Sequence, residues 1–202
     1  MRWRQANRIR TGIRSMTRRG VAAMMAVLLV VGAFARVQAA ETYFGLTFPD
    51  RVGDAKFAST RDFETTDPGL GYGVKYEKPG WAVDVFIYDL GRASIPDDLG
   101  SDVLKAQVKQ AQGDVFEQQK KGAYANVKVT ASYVIRDARR RDRFLCEDFN
   151  YVRQNVGNVD SFLCLTGWHN KFVKFRLTTL HGSRSPAEAR RFMEAWFKVL
   201  WP

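Results

Sequence analysis

Apolar and polar residues alternate on both sides of Pro79-Gly80, and this pattern predicts that the chain folds back there as a hairpin of two strands. Proline holds φ at about −65° and glycine accepts a positive φ, so the two residues favour a type II turn. A two-residue loop pairs Lys78 with Trp81 and places six apolar side chains on one face, which is predicted to be core. These six are Tyr72, Val74, Tyr76, Val83, Val85 and Ile87.

Six further segments show the period-two pattern of strands or apolar runs bounded by turn residues. The predicted strands are residues 44–48, 56–64, 126–135, 143–153, 160–168 and 171–180. In the segment 126–135, one face is predicted to carry Val127, Val129, Ala131, Tyr133 and Ile135. One face of the sheet is predicted to bury Val173, Phe175 and Leu177, and the other to bury Leu145, Phe149, Leu163 and Leu165. A sheet that is apolar on both faces needs a covering layer on each side.

Two predicted helices supply those layers. The first spans residues 97–121 and carries an apolar stripe of Leu104, Val108, Ala111 and Val115. The second opens with Ser185 as N-cap and Pro186 at the first helical position, and Glu188 is placed for a capping box. Its apolar stripe is Ala189, Phe192, Met193, Trp196, Phe197 and Leu200. The order of elements predicts an α+β single domain, an antiparallel sheet of about six to eight strands with a central helix and a C-terminal helix packed on it.

The formal net charge of +11 is concentrated at the N-terminus, where residues 1–40 hold eight arginines and no acidic residue. A run of 15 apolar residues, 21–35, follows the basic segment, and small residues come next at the spacing that signal peptidase recognises. This pattern predicts a signal peptide over 1–40, cleaved after Ala39 or Ala40, and a mature domain over 41–202. An uncleaved anchor is the alternative, although a membrane span needs about 20 apolar residues. The sequence leaves open the start codon and the export route, Sec or twin-arginine.

Three glycines at alternate positions, Gly69, Gly71 and Gly73, raise the alternative of a phosphate-binding loop. A dinucleotide fingerprint requires a third glycine where this sequence has valine, and a helix directly after it. In the predicted hairpin Gly73 lies opposite Phe86 and Gly71 opposite Tyr88, where a residue without a Cβ leaves room for an aromatic ring across the strand. The glycines are therefore predicted to shape the sheet, and no cofactor is predicted.

The only two cysteines, Cys146 and Cys164, fall in two strands that a loop around Gly157 joins. They lie directly opposite each other if that loop has three or five residues. With a two-residue loop they face opposite sides of the sheet, and a bond cannot form. We predict a structural disulfide, because exported proteins meet oxidising conditions. Two buried free thiols are the alternative.

Few residues are candidates for catalysis or metal binding. The two histidines, His169 and His181, lie in predicted turns without the spacing of a zinc site, and we interpret them as surface residues. Glu147 and Asp148 are neighbours in a strand, so their side chains point to opposite faces and cannot act as one acid–base pair. Glu147 lies on an apolar face, where a lysine or arginine of strand 171–180 is predicted to neutralise it. No catalytic residue and no metal ligand is predicted.

Two groups of residues are candidates for a ligand or partner surface. The first is the aromatic shelf of Phe86 and Tyr88, with Trp81 beside the turn; Trp81 and Trp168 flank turns and are predicted to be partly exposed. A covering helix is the alternative for the shelf. The second is the basic run between two predicted strands, which consists of Arg139, Arg140 and Arg141. This run is either a solvated loop or a contact with anionic lipid headgroups or an acidic partner.

The hairpin YGVKYEKPGWAVDVFIYD, the central helix, the following antiparallel strands and the closing helix SPAEARRFMEAWFKVLW resemble the PsbP-like fold group in order and apolar pattern. The resemblance covers most of residues 42–200, and no specific family motif is matched. It implies an exported protein that acts as an accessory or binding protein rather than an enzyme.

Together these observations predict an exported, soluble, non-catalytic binding or assembly accessory protein of the bacterial envelope, in the periplasm or secreted. An envelope hydrolase with a spatially assembled site and a carbohydrate-binding module are the alternatives. The predicted partner is a protein or an envelope component. Residues 41–202 hold 24 basic against 21 acidic residues, so nucleic acid is not predicted as a partner. Membrane contact is predicted only during export, and the sequence leaves the oligomeric state open.

Overall fold

The computed structural model of the protein describes residues 40–202, which form ten strands and three helices. The strands are β1 (Glu41–Tyr43), β2 (Leu46–Phe48), β3 (Arg51–Val52), β4 (Ala55–Asp62), β5 (Tyr72–Lys78), β6 (Trp81–Tyr88), β7 (Tyr124–Arg136), β8 (Asp142–Arg153), β9 (Gly157–Trp168) and β10 (Lys171–Leu180). The helices are α1 (Asp102–Lys120), α2 (Pro186–Ala195) and α3 (Phe197–Leu200). The signal peptide predicted over 1–40 lies outside the described residues except for Ala40, so it stays a prediction together with its cleavage point. No helix of the described part is long and apolar enough to cross a membrane.

Eight strands form one antiparallel sheet in the order β3-β4-β5-β6-β10-β9-β8-β7, and β1 and β2 form a separate two-stranded sheet. The α+β architecture with a central and a C-terminal helix is confirmed. The two edges of the large sheet differ, because β3 has two residues and β7 has 13.

The hairpin of β5 and β6 has the predicted register. Lys78 pairs with Trp81 and Tyr72 with Ile87, and Gly80 has a φ of 77°, as a type II turn requires. The six apolar residues of its predicted core face lie in or against the largest hydrophobic cluster. The turn chemistry of two residues therefore sets the pairing of the whole hairpin.

Both faces of the large sheet are covered, as their apolar residues predict. On one face α2 and α3 pack with β2 over the largest cluster, which includes Phe175 from β10 and the fully buried Trp196. On the other face α1 covers two smaller clusters, which include Leu165 and Leu163 from β9. A helical layer on each side therefore removes both apolar faces from water.

The disulfide between Cys146 and Cys164 is confirmed. The loop between β8 and β9 has three residues, since Arg153 pairs with Gly157, and this odd number places the cysteines directly opposite each other. Their sulfur atoms are 2.06 Å apart and their Cα atoms 4.1 Å apart. Both residues are buried on the sheet face that α2 covers, so the bond joins the middle of two long strands inside the core.

Two element boundaries differ from the predictions. Phe44 has a φ of 51° and lies in a turn with Gly45, so the strand predicted over 44–48 is in fact β1, a turn and β2. The central helix begins at Asp102 rather than at residue 97. The hydroxyl of Ser101 accepts a hydrogen bond from the backbone N–H of Leu104 at 3.3 Å, and this cap fixes the start of the helix.

Two local details also differ. Strand β7 contains register shifts, so its odd positions do not share one face: Val127 packs under α1, whereas Ile135 lies in the cluster under α2. Ser185 precedes α2 as predicted, but its side chain forms no capping hydrogen bond. Glu188 lies instead 4.0 Å from Arg184, so the predicted capping box is wrong.

Candidate functional site

The aromatic shelf predicted on β6 borders a cavity of about 210 Å³ on the sheet face that α1 covers. Strand β6 contributes Phe86 and Tyr88, and β10 contributes Lys174. The other walls come from α1, from the loop between β4 and β5, and from the loop after β6. They consist of Phe63, Leu70, Leu90, Gln107, Gln110 and Asp114. We call this space the Lys174 cavity.

The register of β6 and β10 places a lysine against the aromatic shelf. Lys174 pairs directly with Phe86, and its Nζ lies 4.8 Å from the centroid of the Phe86 ring and 5.3 Å from that of Tyr88. None of the ion pairs within 4.0 Å among residues 40–202 includes Lys174. Burial, together with the positive charge of Arg176, lowers the pKa of Lys174, and Asp114 opposes the shift. The cavity therefore presents a half-buried cation that lies against two aromatic rings and forms no ion pair within 4.0 Å among residues 40–202.

The two shelf residues have different environments. Tyr88 is buried under α1, and its hydroxyl accepts a hydrogen bond from Nε2 of Gln107 at 3.2 Å. Burial raises the pKa of Tyr88, so the hydroxyl stays protonated. Phe86 is only half-buried and keeps part of its ring open to the cavity. The covering helix weighed as the alternative therefore accounts for Tyr88, while Phe86 remains available for contact.

A second cavity of about 270 Å³ adjoins the first, because Phe63 and Phe86 line both. Asp84 lines this second cavity. In the sheet it lies opposite Lys75 of β5 on one side and opposite Arg176 of β10 on the other. Burial raises the pKa of Asp84, and the two neighbouring cations oppose the shift. The carboxylate of Asp84 thus has basic side chains on both neighbouring strands, whereas the Lys174 ammonium of the first cavity forms no ion pair within 4.0 Å among residues 40–202.

The alternate glycines shape the wall beside these cavities. A Cβ on Gly73 would lie 3.0 Å from Phe63 and 3.1 Å from Phe86, so its absence leaves room for both rings, as predicted. Gly71 has a different role from the predicted one. A Cβ there would lie 1.9 Å from the carbonyl oxygen of Ile87, so backbone, and not the ring of Tyr88, requires glycine.

The glycine amides are already occupied by a side chain of the protein. Oε2 of Glu64 accepts hydrogen bonds from the backbone N–H groups of Gly69 at 3.0 Å and Gly71 at 2.8 Å. An internal carboxylate therefore holds the amides that a phosphate-binding loop would offer to its ligand. This contact supports the interpretation of the stretch as a structural element.

The tryptophans predicted to be partly exposed are buried. Trp81 packs on Phe162 with ring centroids 5.7 Å apart, and Trp168 donates from Nε1 to the carbonyl oxygen of Leu200 at 2.8 Å. The C-terminal helices cover this face of the sheet, which the turn positions of the two residues did not reveal. Trp81 is therefore removed from the candidate ligand surface.

The basic run is separate from the aromatic shelf. Arg139, Arg140 and Arg141 are exposed in the loop between β7 and β8, and none of them lines the Lys174 cavity. Arg139 and Arg141 border a different cavity beside the last residues of the chain. The structure thus divides the predicted ligand surface into two sites.

Glu147 forms no ion pair within 4.0 Å among residues 40–202, and its predicted neutralisation by a basic residue of strand 171–180 is wrong. Leu163 lies between Glu147 and Arg176 in the sheet, and Lys174 lies in another row. Oε2 of Glu147 is buried without a hydrogen-bond partner among residues 40–202, and burial raises the pKa of this carboxyl group. Asp148 points to the opposite face and accepts a hydrogen bond from Tyr133 at 3.0 Å, so the two carboxylates do not form a pair.

Both histidines lie in turns, as predicted. His169 has a φ of 46°, and His181 approaches Asp160 with 2.9 Å between Nδ1 and Oδ1. Within residues 40–202, no group of three or more histidine, cysteine, aspartate or glutamate side chains could hold a metal ion. A metal site is not assigned.

Sequence reasoning missed the central residue of the cavity. The sequence pattern indicates Lys174 only as one of two basic residues of strand 171–180 that could neutralise Glu147, and it singles out neither Gln107 nor Asp114. A signal was present in β10, where Phe172, Lys174 and Arg176 occupy the face opposite the predicted core residues. An interrupted apolar face on a central strand indicates a cavity or a ligand.

Comparison with known proteins finds similarity in structure only. No protein-family model matches the chain, and no curated protein matches it. The solution structure of cyanobacterial PsbP (CyanoP) from Synechocystis sp. PCC 6803 is similar at 12% identity and a TM-score of 0.43, covering 74% of this chain and 82% of that chain. A crystal structure of PA94 from Pseudomonas aeruginosa, a protein of unknown function, is similar at 15% identity and a TM-score of 0.30, covering 76% of this chain and 85% of that chain. The fold-level resemblance to the PsbP-like group thus has a counterpart among solved structures, and it assigns no function to this chain.

Proposed function

We propose that this chain is an exported, non-catalytic binding protein of the bacterial envelope, and that the Lys174 cavity holds its ligand. The observation that carries the proposal is the Lys174 ammonium, which is half-buried between Phe86 and Tyr88 without a counter-ion within 4.0 Å among residues 40–202. A buried charge without a partner costs free energy, and such costs are typical of binding sites. An anionic ligand group would supply the missing partner.

The cavity lining indicates the rest of the ligand. Phe63, Leu70 and Phe86 offer apolar and aromatic surface to the cavity, and Gln110 offers an amide. A compact molecule with a carboxylate and an apolar or aromatic body fits this distribution. The adjoining cavity behind Phe86 gives room for a longer substituent.

Binding is favoured over hydrolysis by the chemistry of the lining. In the part of the chain that the structure describes, no serine, threonine, cysteine or histidine lines the Lys174 cavity. Asp114 is exposed and lies outside the 4.0 Å ion-pair distance from Lys174, so the lining does not present a nucleophile beside a base. The burial of Trp81 and Trp168 likewise removes two aromatic surfaces on which a carbohydrate-binding module could stack a sugar.

Two features support export. The first is the N-terminal sequence pattern, and the second is the Cys146–Cys164 disulfide, since such bonds persist in oxidising compartments. An accessory role in the envelope agrees with both.

The experiment compares charged and uncharged ligands of one shape. Isothermal titration calorimetry of the purified protein with phenylacetate is expected to show saturable binding, and phenylacetamide is expected to bind at least roughly tenfold more weakly because it lacks the charge. Lys174→Met is expected to abolish this preference. Lys109→Met, which removes an exposed lysine from α1, is the matched control and is expected to keep it. Equal binding of both compounds, or no binding of a wider set of aromatic and aliphatic carboxylates, would contradict the proposal.

A further inference from the structure

The loop between β7 and β8 is organised around one carboxylate. Oδ1 of Asp137 accepts hydrogen bonds from the backbone N–H groups of Arg139 at 2.9 Å and Arg141 at 3.0 Å. Oδ2 accepts from Nε of Arg141 at 2.8 Å and from Nε of Arg143 at 3.0 Å. Burial opposes ionisation, but these hydrogen bonds hold the pKa of Asp137 at about 2, so the group stays charged. The hydrogen bonds to Asp137 therefore fix the conformation of the loop that carries the basic run, although its arginines are exposed.

The same carboxylate leaves both guanidinium groups with free donors. Each arginine uses Nε toward Asp137, and within residues 40–202 the terminal nitrogens of Arg141 and Arg143 form no hydrogen bond. The side chains of Arg143 and Asp137 are only 12% and 10% exposed. One carboxylate thus faces two guanidinium groups, which leaves an excess of one positive charge.

The free donors border a cavity of about 470 Å³. Arg139, Arg141, Arg143 and Lys198 supply positive charge around it, and Trp201 forms an aromatic wall. The guanidinium carbon of Arg143 lies 4.2 Å from the centroid of the Trp201 ring, which fixes the orientation of that side chain. We call this space the arginine cavity.

We propose that the arginine cavity binds a phosphate group. The paired N–H donors of a guanidinium match two oxygens of a phosphate, and lysine adds a point charge. Four basic side chains and one side-chain carboxylate, which is already hydrogen-bonded, line the cavity, and this excess of positive charge favours an anion. The phosphate belongs either to a small phosphorylated molecule or to the headgroup of an anionic lipid. This site is independent of the Lys174 cavity and shares no lining residue with it.

Titration calorimetry with inorganic phosphate, at constant ionic strength, tests the site itself. Saturable binding is expected, and Arg139→Gln/Arg141→Gln is expected to weaken it at least roughly tenfold. Lys198→Gln gives a second test that leaves the loop unchanged and is expected to weaken binding several-fold. Arg140→Gln removes the same charge from the same loop but from a residue outside the cavity lining, and is expected to change the affinity by less than about twofold.

Cosedimentation with vesicles distinguishes the two sources of phosphate. If a lipid headgroup is the ligand, phosphatidylglycerol vesicles bind the protein, phosphatidylcholine vesicles do not, and Arg139→Gln/Arg141→Gln abolishes binding while Arg140→Gln does not. If a small phosphorylated molecule is the ligand, inorganic phosphate binds and neither vesicle does. The proposal is overturned if inorganic phosphate and phosphatidylglycerol vesicles both fail to bind. It is also overturned if Arg140→Gln weakens binding as much as the double variant, because the effect is then general electrostatics.

Discussion

Replacing Lys174 with methionine is expected to stabilise the protein and to remove ligand binding. Partial burial of an ammonium without a counter-ion costs about 2 kcal/mol, since full burial costs several. The cation–π contacts with Phe86 and Tyr88 return about 1 kcal/mol, and a methionine sulfur recovers part of that contact. The free energy of unfolding is therefore expected to rise by about 1 kcal/mol, a sign opposite to that of most core substitutions.

The pH dependence of this difference follows from the lowered pKa of Lys174. A lysine that binds its proton less tightly in the folded state destabilises that state while it is charged, and the cost disappears as it loses its proton. The unfolded chain keeps the ordinary lysine pKa of 10.5. The advantage of Lys174→Met over the wild type is thus expected to be largest at neutral pH and to shrink as the pH rises toward 10.5.

Urea unfolding followed by tryptophan fluorescence measures this difference, with Lys109→Met as the control that reports an exposed lysine on α1. The control is expected to stay within about 0.5 kcal/mol of the wild type. If Lys174→Met lowers the free energy of unfolding by more than about 1 kcal/mol while the control is neutral, the ammonium stabilises the fold. This result would refute the proposal that the Lys174 cavity is a binding site with an uncompensated charge.

Three further predictions concern other parts of the chain. Thiol titration of the unfolded, non-reduced protein is expected to find no free thiol; two would refute the Cys146–Cys164 bond. N-terminal sequencing of exported protein is expected to begin at Ala40 or Glu41, and retention of the preceding apolar run would indicate an anchor. Burial raises the pKa of Asp148 from 3.8 to about 6, so the folded state loses stability as the pH rises between these two values and the loss is complete above about 6. Asp148→Asn is expected to raise the free energy of unfolding by about 1 kcal/mol at pH 7.5, allowing for solvent screening, and by nothing at pH 4, whereas an equal change at both would refute a titration effect.

The parts of the fold that sequence reasoning predicted correctly depend on local chemistry. Pro79 and Gly80 determine a turn, the turn determines a register, and the register determines which side chains of β5 and β6 are buried. The disulfide depends on the loop between β8 and β9, whose length the sequence left open. The observed three-residue loop sets the register in which Cys146 lies opposite Cys164.

Of the parts that sequence reasoning missed, one is a local turn and the other depends on contacts between distant elements. Phe44 continues an alternating pattern, yet Gly45 beside it allows the turn that separates β1 from β2. The binding hypothesis for Lys174 requires both the pairing of β10 with β6 and the position of α1 above them, and these involve residues that lie far apart in the chain. Patterns within single elements do not contain that information.

The unequal edges of the large sheet bear on how copies of this protein could associate. Strand β7 presents 13 residues along an unpaired edge, whereas β3 at the other end presents two. Two β7 strands could align antiparallel about a two-fold axis, because each copy offers 13 residues for pairing along that edge. Such a pair would occupy the longer edge of both copies, so association through β7 would close on itself as a dimer.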